Sequence, residues 1–188
     1  MAIEYEAKVE VEDLDEIERR LRAIGAHIVD ATEEEDIYID LSPCIDMVSR
    51  DIALRIRIYR AATSDRGRYE VTYKGPRKTK DLKVRTEITV AIDDGHRLLE
   101  IFRELGFTKY ITVYKRRKIY RYGVAKIFLD DVRDLGKFVE IEIENANSIE
   151  EFREMLAKIL DTLNLPKQLI SKSYLEMILE KHNPAPNR

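Results

Sequence analysis

Glu4-Tyr5-Glu6-Ala7-Lys8, inside the alternating run from Ile3 to Val11, is the stretch on which the fold turns. Ile3, Tyr5, Ala7, Val9 and Val11 occupy one parity and Glu4, Glu6, Lys8 and Glu10 the other, the period-two signature of a β-strand. Such a strand aims two carboxylates and an ammonium into one space. The pattern recurs in Leu54, Ile56 and Ile58 against Arg55 and Arg57, and in Tyr69, Val71 and Tyr73 against Glu70, Thr72 and Lys74. Lys83, Arg85, Glu87 and Thr89 again share one parity between Leu82 and Ile92. One wet face of an antiparallel sheet accounts for any single strand of this kind. Charge on nearly every long strand, with acids on the first and last and bases between, points instead to a barrel. Its exterior is apolar and covered by helices, and its lumen is charged and hydrated.

Leu14, Ile17, Leu21 and Ile24 recur at helical spacing and stop at Gly25. Short strand-like runs follow at His27 to Ala31 and around Ile37 and Ile39, then a loop from Ser42-Pro43 to Asp51. Gly75-Pro76 ends a strand and opens the basic loop Arg77-Lys78-Thr79-Lys80. A helix with Leu98, Leu99, Phe102 and Leu105 comes next, then strands over Phe107 to Tyr122 with an internal break, Val124 to Asp130, and Lys137 to Glu144. Ser148-Ile-Glu-Glu151 reads as a capping box for a helix to Leu163, and Ser171 starts a last helix to Lys181 beyond Pro166. The expected class is α+β: an eight-stranded antiparallel β-barrel, or tunnel, flanked by helices. A single domain is expected over residues 1–181, with a flexible tail over 182–188.

The 188 residues suit one domain with a real core. Charged residues make up 37% of the chain, yet the net charge is only −3, which argues against a simple basic nucleic-acid binder. Cys44 is the only cysteine, which excludes an intramolecular disulfide and a cysteine-rich zinc site and fits a cytoplasmic protein. No apolar run approaches the roughly 20 residues of a membrane span, and Met1-Ala-Ile-Glu4 does not open a signal peptide. Gln168 is the sole glutamine, a composition that leans towards a thermophilic source.

Phosphate chains call for arginine forks and lysine point charges, and hard divalent cations for carboxylates. Glu4 and Glu6, with Glu140 and Glu142 in Val139-Glu-Ile-Glu142, place four carboxylates on two strands at the same pitch, and Asp130 is a fifth candidate. Like charges so close raise one another's pKa unless a cation holds them, so a metal is the economical explanation.

Together these residues resemble the CYTH superfamily, or triphosphate tunnel metalloenzymes. The resemblance rests on Glu4-x-Glu6-x-Lys8, Asp36-x-Tyr38, Leu54-Arg-Ile-Arg57, Thr72-Tyr-Lys-Gly-Pro76 and Arg85-x-Glu87. It continues through Lys115-x-Arg117, Leu129-Asp130, Leu135-Gly-x-Phe-Val-Glu-Ile-Glu142 and Ser171-Lys-Ser-Tyr174, and the ordered set is similar to the class IV adenylyl cyclase-like and thiamine triphosphatase branch. It implies a tunnel that binds a triphosphate (ATP, inorganic triphosphate or thiamine triphosphate) with Mg²⁺ or Mn²⁺. By position in the motifs, Glu4, Glu6, Asp130, Glu140 and Glu142 would hold metal. Lys8, Arg55, Arg57, Lys74, Arg85, Lys115 and Arg117 would grip phosphate, and Glu87 would orient lumen bases. Lys8, Arg57 and Lys172 are expected to act on the reacting group; with Ser171 as N-cap, Lys172 would sit in the first helical position and close one tunnel end.

Two reactions fit this site. Water attacks the terminal phosphate in a triphosphatase; the ribose 3′-hydroxyl attacks the α-phosphate in a class IV cyclase, releasing pyrophosphate. A silent polyphosphate-binding module is the non-enzymatic alternative. Nucleic acid and membrane are not expected partners, and a homodimer is a further expectation. His27, His96, His182 and Cys44 fall outside the charged alternations and are read as incidental.

Overall fold

Antiparallel register carries the parity of each strand to its neighbour, so the charged faces converge once the strands pair. The computed structural model describes residues 2–60, 68–79, 82–144 and 146–182. In chain order it has β1 (Ala2–Val11), α1 (Leu14–Ala23), β2 (His27–Ile39), β3 (Ala53–Arg60), β4 (Arg68–Lys74) and β5 (Lys83–Ile92). There follow α2 (Gly95–Glu104), β6 (Tyr110–Tyr122), β7 (Ala125–Val132), β8 (Gly136–Ile143), α3 (Ile149–Thr162) and α4 (Tyr174–His182). The strands close in the order β1-β5-β4-β3-β2-β6-β7-β8, every pair antiparallel, as the α+β barrel reading expected.

Register partners on the inner face include Glu4 with Arg85, Lys8 with Glu140, Asp36 with Arg57, Lys74 with Glu87, and Arg117 with Asp130. The apolar parity faces outward and is covered by helices. Ile17 and Leu21 of α1 and Phe152 and Leu156 of α3 pack on Val9, Ile127, Leu129, Val139 and Ile141. Leu99 of α2 packs on Ile37, Ile39, Ile56 and Ile58. Burying each such side chain stabilises by about 1.5–3 kcal/mol, so the hydrophobic core lies outside the barrel wall. The fourth helix differs. Its Tyr174 and Ile178 meet Val113, Val132 and Phe138, which share the parity of Lys115, Asp130 and Glu140, so α4 closes one end of the tunnel from within.

Four local expectations are corrected. The two short runs after α1 are one 13-residue strand, β2, with a register shift between Ile28 and Asp30 that absorbs a one-residue bulge. The sixth strand starts at Tyr110 and is unbroken to Tyr122, because β2 pairs with it from Tyr110 to Arg121 and β7 from Lys115 to Tyr122. The last helix begins at Tyr174, not after Ser171: Ser173 Oγ accepts from the Glu176 amide at 3.2 Å and Glu176 returns bonds to Ser173 N and Oγ. Acids are not confined to the outermost strands, since β2 brings Glu34 and Asp36 into the lumen. Of the expected tail, only His182 lies within the described residues, as the end of α4.

Candidate active site

The lumen narrows to a cavity of about 120 Å³ whose lining acids are Glu4, Glu6, Asp36, Glu87 and Glu140. Its lining bases are Arg55, Arg57, Lys74, Lys83, Arg85, Lys115 and Arg117, with Tyr38 and Tyr174 among the few uncharged walls. Seven bases against five acids leave the cavity cationic.

At one side, Arg57 forks Asp36 (Nε–Oδ1 2.6 Å, Nη2–Oδ2 2.8 Å) and reaches Glu34 at 3.0 Å. Lys115 holds the same two acids at 3.1 and 3.3 Å. Burial alone would raise both acids, but Lys115 and Arg57 hold Glu34 down at about 2 and keep Asp36 well below the usual carboxylate range. Arg55 donates to Thr72 Oγ1 at 3.1 Å and lies 3.6 Å from Asp36 Oδ2, while its Nε is buried with no hydrogen-bond partner among the described residues. Arg85 is buried and, among the described residues, forms no ion pair.

Across the lumen Arg117 binds Asp130 and Glu140, reaching Asp130 Oδ1 at 2.6 Å and Glu140 Oε2 at 2.5 Å. Lys83 bridges Glu6 (2.6 Å) and Glu140 (2.8 Å), and Tyr174 donates its hydroxyl to Asp130 at 2.8 Å. The buried Lys8 ammonium lies 3.9 Å from the centre of the Tyr174 ring and donates to Met177 Sδ at 3.7 Å. Burial, reinforced by the Lys83 ammonium, lowers Lys8 to about 7.

The third group is β1's acidic edge. Burial pushes Glu4 up to about 8 against the pull of Lys74, with Glu6 and Glu87 adding like charge. Lys74 pairs with Glu87 and holds it at about 2. Glu142 is raised by burial and by Glu6 and Glu144, against the attraction of Lys126 at 3.7 Å. Two acids pushed up on either side of Glu6 are carboxylates short of positive charge. Their hard oxygen donors suit a divalent cation such as Mg²⁺ or Mn²⁺. Among the described residues no three such side chains already converge as a cage. Glu140 and Asp130 are engaged by Arg117, with Lys83 also on Glu140.

The structure thus brings together Glu4, Glu6, Lys8, Arg55, Arg57, Lys74, Arg85, Lys115, Arg117, Asp130 and Glu140, with the half-buried Glu142 opposite Glu6 on β8. It does not bring Lys172 to them: that ammonium bonds Glu180 at 2.7 Å on the outer surface, two residues before α4 begins. Lys83, Glu34 and Asp36 are lumen residues that no expected site role covered. Parity was the available signal for all three, and splitting β2 concealed it for Glu34 and Asp36. Tyr174, quoted only within a motif, contributes a wall.

An eight-stranded closed tunnel with an ionised lumen is the class of protein that fold and site define. The CYTH domain model matches residues 2–174, and the chain belongs to the CYTH domain family. It is 36% identical over 178 residues to “Putative adenylate cyclase MJ0240” of Methanocaldococcus jannaschii, covering 93% of this chain and 98% of that one. It is similar to the structure of PH1819 from Pyrococcus horikoshii, with a TM-score of 0.82, 37% identity and coverage of 95% and 99% of the two chains. The fold also matches that of HpAC1 from Hippeastrum, described as an adenylyl cyclase candidate with a dominant triphosphatase activity. That TM-score is 0.67, at 20% identity and coverage of 97% and 98%.

Proposed function

We propose that this chain is a divalent-cation-dependent enzyme that hydrolyses a triphosphate inside the tunnel. The observation that carries the reading is the surplus of buried guanidinium donors facing a cationic cavity: among the described residues Arg55 Nε has no hydrogen-bond partner and Arg85 forms no ion pair. Burying this many charges costs more than an apolar lumen would, so stability alone does not explain them. Arg55 and Arg85 offer forks for phosphate oxygens, and Lys74 and Lys115 offer point charges at the same wall.

Glu4, Glu6 and Glu142 would hold Mg²⁺ or Mn²⁺, which when bound supplies neutralisation of charge on the leaving phosphate. Asp130 and Glu140, fixed by Arg117 and Lys83, would orient those bases and the water around the ion. Lys8, lowered to about 7, would hold or release a proton at Nζ near neutral pH against the Tyr174 ring, which lines the cavity. The narrow, mostly charged lining supports threading of a bare phosphate chain better than seating of an adenine base.

The second reading is cyclisation of ATP, favoured by the name of the 36% identical relative. Incubation with ATP, inorganic triphosphate and thiamine triphosphate, each with Mg²⁺ or Mn²⁺, separates the two. Orthophosphate with a diphosphate product is expected. Cyclic AMP with pyrophosphate would replace that reading by the cyclase, and no turnover of any triphosphate would leave a binding module.

A further inference from the structure

Of the basic loop between β4 and β5, Lys80 lies outside the described residues; Arg77 is not among the residues that line the lumen, yet it joins this loop to the loop after β2 and to the stretch from Ser171 to Glu176. Arg77 donates from its backbone N (2.8 Å) and Nε (2.9 Å) to Asp51 Oδ2 in the loop after β2. Its Nη1 donates to the Ser171 carbonyl at 3.2 Å, and its two terminal nitrogens fork Glu176 at 3.2 and 2.9 Å. Glu176 is also the residue that caps α4 through Ser173. Asp51 holds φ at +48°, a left-handed conformation that costs a non-glycine residue free energy and persists where its surroundings impose it. The loop is anchored behind Arg77 by Lys78 N donating to the Val84 carbonyl at 2.7 Å and Thr79 Oγ1 to the Leu82 carbonyl at 2.8 Å.

What Arg77 fastens is the wall of the tunnel. Ser173, Tyr174 and Leu175, the cap and first residues of α4, line the lumen. Tyr174 there contacts Lys8 and Asp130. The approach to α4 is held to the barrel by Ile170 N donating to the Lys8 carbonyl at 2.8 Å. Tyr174 and Met177 add bonds to Asp130 and Lys8, and Tyr174 and Ile178 pack on Val113, Val132 and Phe138, so loss of the Arg77 fork loosens the start of this short helix while the strands that carry the other bases keep their pairing.

We propose that Arg77 is a positioning residue: it fastens α4 as the closing wall of the tunnel through Glu176 and Ser171, and thereby retains the bound anion. The retention rests on the triphosphate reading above; the fastening does not. Amide hydrogen exchange on the ligand-free protein tests the fastening, and calorimetric titration with non-hydrolysable imidotriphosphate plus Mg²⁺ tests the retention. In Arg77→Gln and Glu176→Gln, amides over 170–182 are expected to exchange at least about tenfold faster while those of β6 and β7 hold their rates. Imidotriphosphate affinity is expected to fall about tenfold in each, and the double variant should be no worse than either single one. Arg77→Lys, which keeps the charge but not the fork, should lie between, and serves with Glu176→Gln if Arg77→Gln fails to fold. Unchanged exchange at 170–182, or exchange raised equally across the barrel, overturns the fastening. Faster exchange with wild-type affinity overturns the retention. A wild-type protein that binds no imidotriphosphate overturns the triphosphate reading and the retention with it, while the exchange data still decide the fastening.

Discussion

Two lumen arginines that look alike in sequence differ in what they hold. Arg57 neutralises two buried acids, so Arg57→Ala leaves Glu34 and Asp36 to Lys115 and a longer Arg55 contact with Asp36, and is expected to destabilise the fold by about 3–5 kcal/mol. Arg85 has no such partner among the described residues. Arg85→Ala is expected to leave the melting temperature nearly unchanged and to weaken triphosphate binding by about 1.5–3 kcal/mol, the worth of a charge-assisted hydrogen bond. Melting curves and calorimetric titration of both variants check this; equal losses of stability would contradict it. Glu4 makes a pH prediction. Burial lifts its pKa from an ordinary 4.5 to about 8, so across that window the native state keeps a proton that the unfolded state has released. Stability of the metal-free protein therefore falls as pH rises through the window. Glu142, also raised, acts in the same sense. Lys8, lowered from 10.5 to about 7, opposes this only above about pH 7. Urea midpoints measured from about pH 5 to 7 should decline, and Glu4→Gln should flatten the decline. A slope unaltered by that substitution would contradict the assignment.

At the scale of the element, strands were more legible than their joins. The parity of β1, β3, β4 and β5 could be read directly because charged and apolar residues alternate without interruption. In β2 the bulge near Val29 shifts parity, so Glu34 and Asp36 fell out of phase with the earlier part of the run. The start of α4 was misplaced because Ser171 and Ser173 offer the same capping chemistry; Glu176, three residues after Ser173, decides in favour of the latter. Partner choice within the lumen was not legible, since register across strands distant in sequence determines which acid meets which base. The second helix illustrates a constraint visible only in space. A Cβ on Gly95 would lie 2.8 Å from Tyr69 Cδ1 and 3.1 Å from Ile56 Cγ2. Gly95→Ala, favourable by helix propensity alone, is therefore expected to destabilise by about 1–3 kcal/mol through overpacking of α2 against β3 and β4. A stabilised variant in thermal unfolding would show that the contact yields.

For the whole molecule, the fold inverts the usual arrangement, with its apolar core between barrel and helices and its charges inside. Among the described residues no helix is long and apolar enough to cross a membrane. An interior of buried ions is costly to maintain, and a cationic cavity flanked by under-neutralised carboxylates is satisfied together by a polyanion and a divalent cation. The most direct test is anomalous diffraction from crystals grown with Mn²⁺ and non-hydrolysable imidotriphosphate. The account predicts an anomalous peak inside the barrel among Glu4, Glu6 and Glu142, with the phosphate chain against Arg55 and Arg85. Manganese confined to the outer surface, with no phosphate density in the tunnel, would contradict it.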